Sequence, residues 1–191
     1  MNSVKVLLCR TFSLAALVIS TPLAAQKITQ VHPGKGGSPH VRSVYKVDGA
    51  TITLEYGRPS VKGRTIFGPE GIIKSGNVWR MGADEATTLK TDKDLMFGSL
   101  HVPAGTYTLF ALPMAGDSPD KPAGKLIISK QTGQWGTQYA EAQDLGRVDA
   151  VVTVASAPME MLTLSIIDTP AGASFVMEWE NIRAEVPFVV H

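Results

Sequence analysis

Apolar and polar residues alternate along much of the chain, as they do in strands with one buried face. Between residues 50 and 56, Ile52, Leu54 and Tyr56 alternate with Thr and Glu, which predicts a strand over this range. Similar short stretches, separated by Gly, Pro or Asp, predict further strands over 77–81, 87–91, 95–102, 106–112, 125–130, 147–154, 162–168, 174–179 and 183–188.

Signals for helices are few. After residue 25 no stretch keeps a helical apolar period over three turns, and the best short candidate, 135–143, suits a loop equally well. We therefore expect an all-β fold, an antiparallel β-sandwich or jelly-roll-like barrel of about ten short strands with at most one or two short helices.

Residues 1–25 have the pattern of a targeting segment. Lys5 and Arg10 precede an apolar run over 14–19, and small residues lead to Ala25, after which a secretory signal is typically cleaved. The run is shorter than the roughly 20 apolar residues that a membrane-spanning helix needs. We expect a cleaved signal peptide; an uncleaved anchor or a buried helix is the alternative.

The rest of the chain divides into two parts. Residues 26–40 are rich in Gly, Pro and polar side chains and predict a flexible lead, and 41–191 predict a single β-domain. Cys9 is the only cysteine and lies in the predicted signal, so the domain has no disulfide or thiol chemistry. We expect an exported protein, periplasmic or secreted, without a transmembrane segment once the signal is removed.

Charge is nearly balanced overall but unevenly distributed. Residues 26–82 hold nine basic and three acidic side chains, whereas 83–191 hold seven basic and fourteen acidic ones. The overall balance argues against nucleic acid as a partner. The basic first part either neutralises the acidic second part in the folded protein or forms a local site for an anionic ligand.

Three segments carry more polar and aromatic side chains than connecting loops require. The first, 56–64, places Arg58, Lys62 and Arg64 around a proline and a glycine. Guanidinium and ammonium groups in such a loop suit a carboxylate or a phosphate. Alternatively, one arginine pairs with an acid at the edge of the core and the other cations are solvated.

The second segment, 78–88, contains Trp79, Arg80 and the neighbouring acids Asp84 and Glu85. Trp79 offers a flat face for a sugar ring or an apolar ligand. Adjacent acids on a strand point to opposite faces, which makes them a poor acid–base pair. A buried tryptophan beside an Arg–Glu ion pair is the structural alternative.

The third segment, 134–147, contains Trp135 and Tyr139 among amide and hydroxyl side chains. Aromatic rings that stack on a sugar and polar groups that bind its hydroxyls are typical of carbohydrate sites. Loops of this composition also cover the open end of a β-sandwich, and both interpretations remain open.

The histidines and the remaining motifs predict no further chemistry. His32, His40, His101 and His191 lack metal-ligand spacing, so we expect neither a metal site nor a cofactor. The chain also lacks a nucleophile elbow, a phosphate-binding loop and a dinucleotide fingerprint.

Four blocks in order, 56–64, 78–88, 103–110 and 134–136, resemble one family. It is the exported bacterial family catalogued as domain of unknown function 2911, and the resemblance covers about residues 40 to 188. The resemblance implies an envelope or secreted location and a single domain. It implies no reaction, ligand or catalytic residue.

These observations together favour a non-enzymatic binding domain of the cell envelope that takes a small polar or saccharide-like ligand. The binding residues would be Arg58, Lys62, Arg64, Trp79, Arg80, Glu85, Trp135 and Tyr139. One alternative is a hydrolase or lyase that uses Glu85 as its general base. The other is a purely structural envelope protein.

Overall fold

The computed structural model describes residues 28–118 and 121–191. The predicted signal peptide lies outside the described residues. The strands are β1 Thr29–His32, β2 His40–Val47, β3 Ala50–Gly57, β4 Thr88–Thr91, β5 Leu95–Phe97, β6 Leu100–Val102, β7 Gly105–Ser118, β8 Lys121–Ser129, β9 Asp144–Thr169 and β10 Gly172–Val190. A single turn of 3-10 helix, Glu141–Gln143, precedes β9.

The ten strands form one antiparallel sheet that folds over itself. Their order is β1-β2-β3-β4-β7-β8-β9-β10-β5-β6, so β1 and β6 are the two edges and the sheet does not close into a barrel. This arrangement confirms the predicted all-β, sandwich-like fold. Within the described ranges, no helix is long and apolar enough to cross a membrane.

The long ribbon of β9 and β10 connects the two layers. Its register shifts on both sides of Glu180, where the strands bend. Beyond the bend, the hydroxyl of Tyr45 donates to the Leu164 carbonyl at 3.1 Å, and the hydroxyl of Tyr56 accepts from the Leu164 N–H at 3.0 Å. Two buried tyrosines on β2 and β3 therefore attach the ribbon to the opposite layer.

The core lies between the layers and takes alternate residues from each strand. The burial of β3 alternates as the sequence predicts, with Ile52, Leu54 and Tyr56 fully buried. The opposite layer contributes Leu162, Leu164, Ile166, Phe175, Met177 and Trp179. Burial of this apolar surface is the main stabilising contribution in a chain whose described part has no disulfide.

Several predicted strands have different limits in the structure. The predicted strands 147–154 and 162–168 are both part of β9, and 174–179 and 183–188 are both part of β10. The polar or proline-containing stretches between them bend the ribbon without ending it. The segment 135–143 is irregular apart from the 3-10 turn.

Two other segments differ from the expected strands. The predicted strand 95–102 is a hairpin, because Gly98, with φ of 60°, reverses the chain between β5 and β6. The segment 77–81 is mostly irregular, and only Trp79 forms an isolated bridge, to Ala111. Local composition does not distinguish these cases from regular strands.

The predicted flexible lead 26–40 contains β1, which pairs with β2. Three of the four β1 residues are exposed, so this strand shows no apolar alternation. Its backbone hydrogen bonds to β2 define it instead. Because composition does not reveal such bonds, it predicted a flexible lead here. The Pro–Gly-rich stretch 33–39 forms the connection between the two strands.

Candidate functional site

Three irregular segments meet around a cleft of about 620 Å³. They are 58–64 after β3, 78–83 before β4, and 136–139 before the 3-10 turn. The chemically distinctive residues that line the cleft are Lys62, Arg64, Arg80, Trp79, Trp179, Tyr139 and Ser38. We call this site the cationic cleft.

The charge of the cationic cleft has one sign. Lys62, Arg64 and Arg80 line it, and among the described residues no Asp or Glu does, although the Glu160 carboxylate accepts from the Lys62 backbone N–H at 3.0 Å nearby. The guanidinium of Arg64 donates to the carbonyls of Ser60 at 2.6 Å and Val61 at 2.9 Å. In the described part of the chain, the arginines and lysines in ion pairs are Arg42, Lys125, Arg147 and Arg183. The alternative for the segment 56–64, in which one arginine pairs with an acid at the edge of the core, is therefore wrong for the described residues.

Arg80 is half-buried and is held by its own loop. Its Nε donates to the Gly82 carbonyl at 3.1 Å. A Cβ on Gly136 would lie 2.9 Å from Arg80 Cδ and 2.8 Å from the Asp84 carbonyl oxygen. Only glycine at position 136 lets this segment approach Arg80 and the Asp84 backbone so closely. The contact limits the positions that the Arg80 side chain can take.

Two stacked tryptophans form the apolar side of the cationic cleft. The rings of Trp79 and Trp179 lie 5.7 Å apart at 15°, and Phe67 meets each of them edge-on. Trp179 is only 2 % exposed, and its Nε1 is buried without a protein acceptor. A buried donor without a partner costs about 1–3 kcal/mol, so this indole N–H destabilises the fold by about that amount.

The backbone around the cleft is strained. Lys62, Met81 and Asp84 adopt φ of 51°, 49° and 63°, a region that side chains disfavour. Each such residue costs on the order of 1–3 kcal/mol and is typically found at functional sites. Two of the three predicted segments, 56–64 and 78–88, contain these residues.

Tyr139 lines the cleft and is fixed by charged neighbours. Its hydroxyl donates to Asp144 Oδ2 at 2.7 Å and accepts from Arg147 Nη2 at 2.8 Å. Burial, with the bond to Asp144, raises the pKa of Tyr139 to about 12. The phenol is therefore a neutral hydrogen-bonding group at physiological pH.

Two predicted binding residues lie elsewhere. The guanidinium of Arg58 donates to the Leu162 carbonyl and to Thr163 Oγ1, both at 3.0 Å, and so connects β3 to β9. The ring of Trp135 is covered by Lys35, whose Nζ lies 5.1 Å from the ring centroid. Neither residue lines the cationic cleft.

Glu85 also lies outside the cleft, where it meets two histidines. Its Oε2 lies 3.4 Å from His40 Nδ1 and 3.9 Å from His32 Nε2. The two imidazole rings stack at 4.7 Å and 6°. We call His32, His40 and Glu85 the histidine cluster.

Sequence reasoning named both histidines but assigned them no role, and it did not single out Trp179. His32 and His40 are direct cross-strand partners in the β1–β2 pair. The sequence signal was the Pro–Gly-rich connection between them, which fits a hairpin as well as a flexible lead. Trp179 lies among the apolar residues of β10 and resembles any core aromatic residue.

One protein family matches the sequence of this chain. The family described as "Protein of unknown function (DUF2911)" matches residues 38–188. The chain belongs to this family. No curated protein and no solved structure matches it. The DUF2911 range contains all three segments of the cationic cleft, together with His40 and Glu85, while His32 precedes it.

Proposed function

We propose that this DUF2911 protein binds a small acidic, saccharide-like ligand in the cationic cleft. The observation that carries the proposal is the cleft's lining, which in the described part of the chain combines three cations, no acid and a stacked pair of tryptophans. The volume of about 620 Å³ is within the usual range for small-molecule sites. The ligand class is a sugar ring that bears a carboxylate or a phosphate.

Charge supports an anionic group on the ligand. Arg64 and Lys62 are exposed at the edge of the cleft, and Arg80 is half-buried within it. None of the three forms an ion pair with a carboxylate in the described residues. Charge-assisted hydrogen bonds from guanidinium groups to carboxylate or phosphate are about twice as strong as neutral ones.

The aromatic side of the cleft supports a ring. Half-buried Trp79 presents apolar surface to the cleft, with the buried Trp179 stacked against it, and sugar rings pack their C–H faces against such surfaces. The Tyr139 hydroxyl donates to Asp144, and its oxygen can accept a hydrogen bond from a sugar hydroxyl. An anion alone would not need this surface.

A hydrolase or lyase with Glu85 as general base has less support. The Glu85 carboxylate does not line the cationic cleft, so it would not reach a substrate bound there. A purely structural role leaves three unpaired cations and strained loops without an explanation. We therefore keep ligand binding as the proposal.

We also propose that the protein acts outside the cytoplasm, in the periplasm or as a secreted protein. The support is the targeting pattern of residues 1–25 with its small residues before position 26. Fractionation of cells and N-terminal sequencing of the purified protein test this. A cytoplasmic protein that retains Met1 would exclude export.

The binding proposal is tested by thermal unfolding and calorimetric titration in a buffer that contains a chelator. The probes are glucuronate, galacturonate and glucose 6-phosphate, with glucose as the neutral control. A ligand at roughly 100 times its dissociation constant adds about 2.7 kcal/mol, which raises the unfolding temperature by roughly 5–10 °C. We expect at least one acidic sugar to give such a rise and glucose to give none.

Variants then assign the binding to the cleft. We expect Arg64→Gln and Arg80→Gln each to weaken binding by about tenfold or more, because each removes a charge-assisted hydrogen bond. Lys90→Gln is the matched control, since Lys90 is an exposed cation on β4 that does not line the cleft. Equal weakening in all three variants, or no response to any acidic sugar, would contradict the proposal.

A further inference from the structure

The histidine cluster contains two buried polar atoms that face each other without a hydrogen bond. His40 is 4 % exposed, and its Nδ1 has no protein partner. Glu85 Oε2 lies 3.4 Å away, is also buried and is also unpartnered. Buried polar atoms are nearly always paired, so these two atoms indicate that a proton or a metal cation lies between them.

His40 also meets a carboxylate on its other side. His40 Nε2 is 3.4 Å from Oε1 of Glu55, whose second oxygen accepts from Arg42 at 2.7 Å. In the tautomer with the proton on Nε2, towards Glu55, His40 has a lone pair on Nδ1. That lone pair and the Glu85 oxygen are then two acceptors 3.4 Å apart.

A carboxylate behind a histidine is the usual support for a metal ligand. Metal-binding histidines typically donate their second N–H to a carboxylate or a carbonyl, which orients the ring and raises its basicity. Glu55 has the position of such a supporting carboxylate at His40 Nε2, while His40 Nδ1 and Glu85 face each other on the other side. A proton between His40 and Glu85 would satisfy the same two atoms, and a titration with Zn²⁺ distinguishes the two cases.

His32 supplies the third donor. One nitrogen from each histidine and one oxygen of Glu85 all lie within 4.8 Å of one another. Tetrahedral Zn²⁺ with bonds near 2.1 Å places its ligand atoms about 3.4 Å apart. The His40–Glu85 distance of 3.4 Å already has this value, and the His32–Glu85 distance of 3.9 Å is close to it.

We propose that His40, Glu85 and His32 form a binding site for a divalent transition-metal ion, with Zn²⁺ as the expected occupant. Two imidazoles and one carboxylate are typical ligands of Zn²⁺ sites that leave a fourth position open. The site lies outside the cationic cleft and does not depend on the acidic ligand proposed there. It revises the sequence expectation that the histidines lack ligand spacing.

The three ligands do not contribute equally. The Gly34 N–H donates to His32 Nδ1 at 3.1 Å, which keeps the proton of a neutral His32 on Nε2. His32 must therefore exchange this bond and tilt away from its stacked position before Nε2 can ligate. His40 and Glu85 need no such exchange, so they are the principal ligands and His32 is the weaker one.

The test is a calorimetric titration of the chelator-treated, dialysed protein with Zn²⁺, with Mg²⁺ and Ca²⁺ as hard-cation controls and no sugar present. We expect one Zn²⁺ per chain and no comparable binding of Mg²⁺ or Ca²⁺, which prefer oxygen ligands. Co²⁺ should give the visible absorption of an ion with nitrogen ligands. Absence of Zn²⁺ binding would overturn the proposal, whatever the response to acidic sugars.

Variants identify the ligands. We expect His40→Gln and Glu85→Gln to reduce Zn²⁺ affinity by more than the roughly 10–100-fold that loss of a supporting group costs. His32→Gln should reduce it less. His101→Gln is the matched control, since His101 is exposed and pairs with Asp94 away from the cluster. A loss of affinity in His101→Gln equal to that in Glu85→Gln would overturn the assignment.

Two further measurements cover variants that fail to fold. The side chain of Glu85 is 42 % exposed as a whole, so Glu85→Gln tests the site even if the buried His40 tolerates no change. Glu55→Gln should fold and weaken Zn²⁺ binding by roughly 10–100-fold, because His40 loses its supporting carboxylate. Unchanged affinity in Glu85→Gln would overturn the site, and unchanged affinity in Glu55→Gln would overturn the role of Glu55.

Discussion

Trp79 and Trp179 stack with their ring centroids 5.7 Å apart, although Trp79 lies in an irregular loop and Trp179 in the longest strand pair. The contact attaches the loop 78–83 to the core, because Trp179 is buried between the layers. The position of Arg80, the next residue, depends on this contact. The stability of the protein and the proposed ligand binding thus both depend on one aromatic pair.

Trp79→Ala should reduce both the stability of the protein and its affinity for acidic sugars. Truncating a large aromatic side chain costs about 3–5 kcal/mol in a core, and we expect about 2–3 kcal/mol here because Trp79 is only half-buried. Urea unfolding measures the change. Trp79→Phe, which retains a ring, should recover about half of the loss, and a cost of Trp79→Ala below about 0.5 kcal/mol would contradict the role assigned to the stack.

Arg58 and Arg80 should respond in opposite ways to substitution. Arg58→Ala removes two hydrogen bonds to β9 and should lower the free energy of unfolding by about 1–3 kcal/mol. It should leave the affinity for acidic sugars unchanged, because Arg58 does not line the cationic cleft. Arg80→Ala should weaken binding more than stability. Thermal unfolding and calorimetry on both variants test this, and equal loss of binding would place Arg58 in the site.

Alkaline pH should destabilise the protein through Tyr45. Burial raises the pKa of Tyr45 from 10.0 to about 12, so the folded state holds this proton more tightly than the unfolded chain does. The resulting stabilisation is complete below pH 10 and is lost as the pH rises towards 12.

Urea unfolding of the wild type and of Tyr45→Phe measures this contribution. Between about pH 8 and pH 11 the wild type should lose about 1–2 kcal/mol more than the variant. At neutral pH the variant should be less stable by about 1 kcal/mol, since it lacks the bond to the Leu164 carbonyl. Identical pH dependence in both proteins would refute the assignment.

Gly136→Ala tests the packing behind Arg80. The new Cβ would lie 2.8 Å from the Asp84 carbonyl oxygen and 2.9 Å from Arg80 Cδ, so the loops must separate. We expect a loss of about 1–3 kcal/mol in stability and a weaker response to acidic sugars. Thermal unfolding and ligand titration report the two effects, and a variant that matches the wild type in both would show that the contact is not needed.

Local pattern was sufficient where one strand presents one face to the core. The alternation of Ile52, Leu54 and Tyr56 predicted β3 to within a residue, because side chains on a strand alternate between its two faces whatever lies nearby. The loops of the cationic cleft were also predictable. Charged and aromatic residues beside Pro and Gly, as in 56–64, are unusual in a simple connection.

Only the tertiary structure distinguished the members of that loop. Arg58 and Arg64 are the same residue type in one segment, yet Arg58 binds β9 and Arg64 lines the cleft. In the same way, the register of β1 on β2 sets His32 directly opposite His40, and Glu85, which is distant in sequence, meets both of them. Sequence by itself determined which side chains the chain carries and which faces its strands bury. Which of them meet depends on pairing between distant segments, and a local pattern contains no information about those contacts.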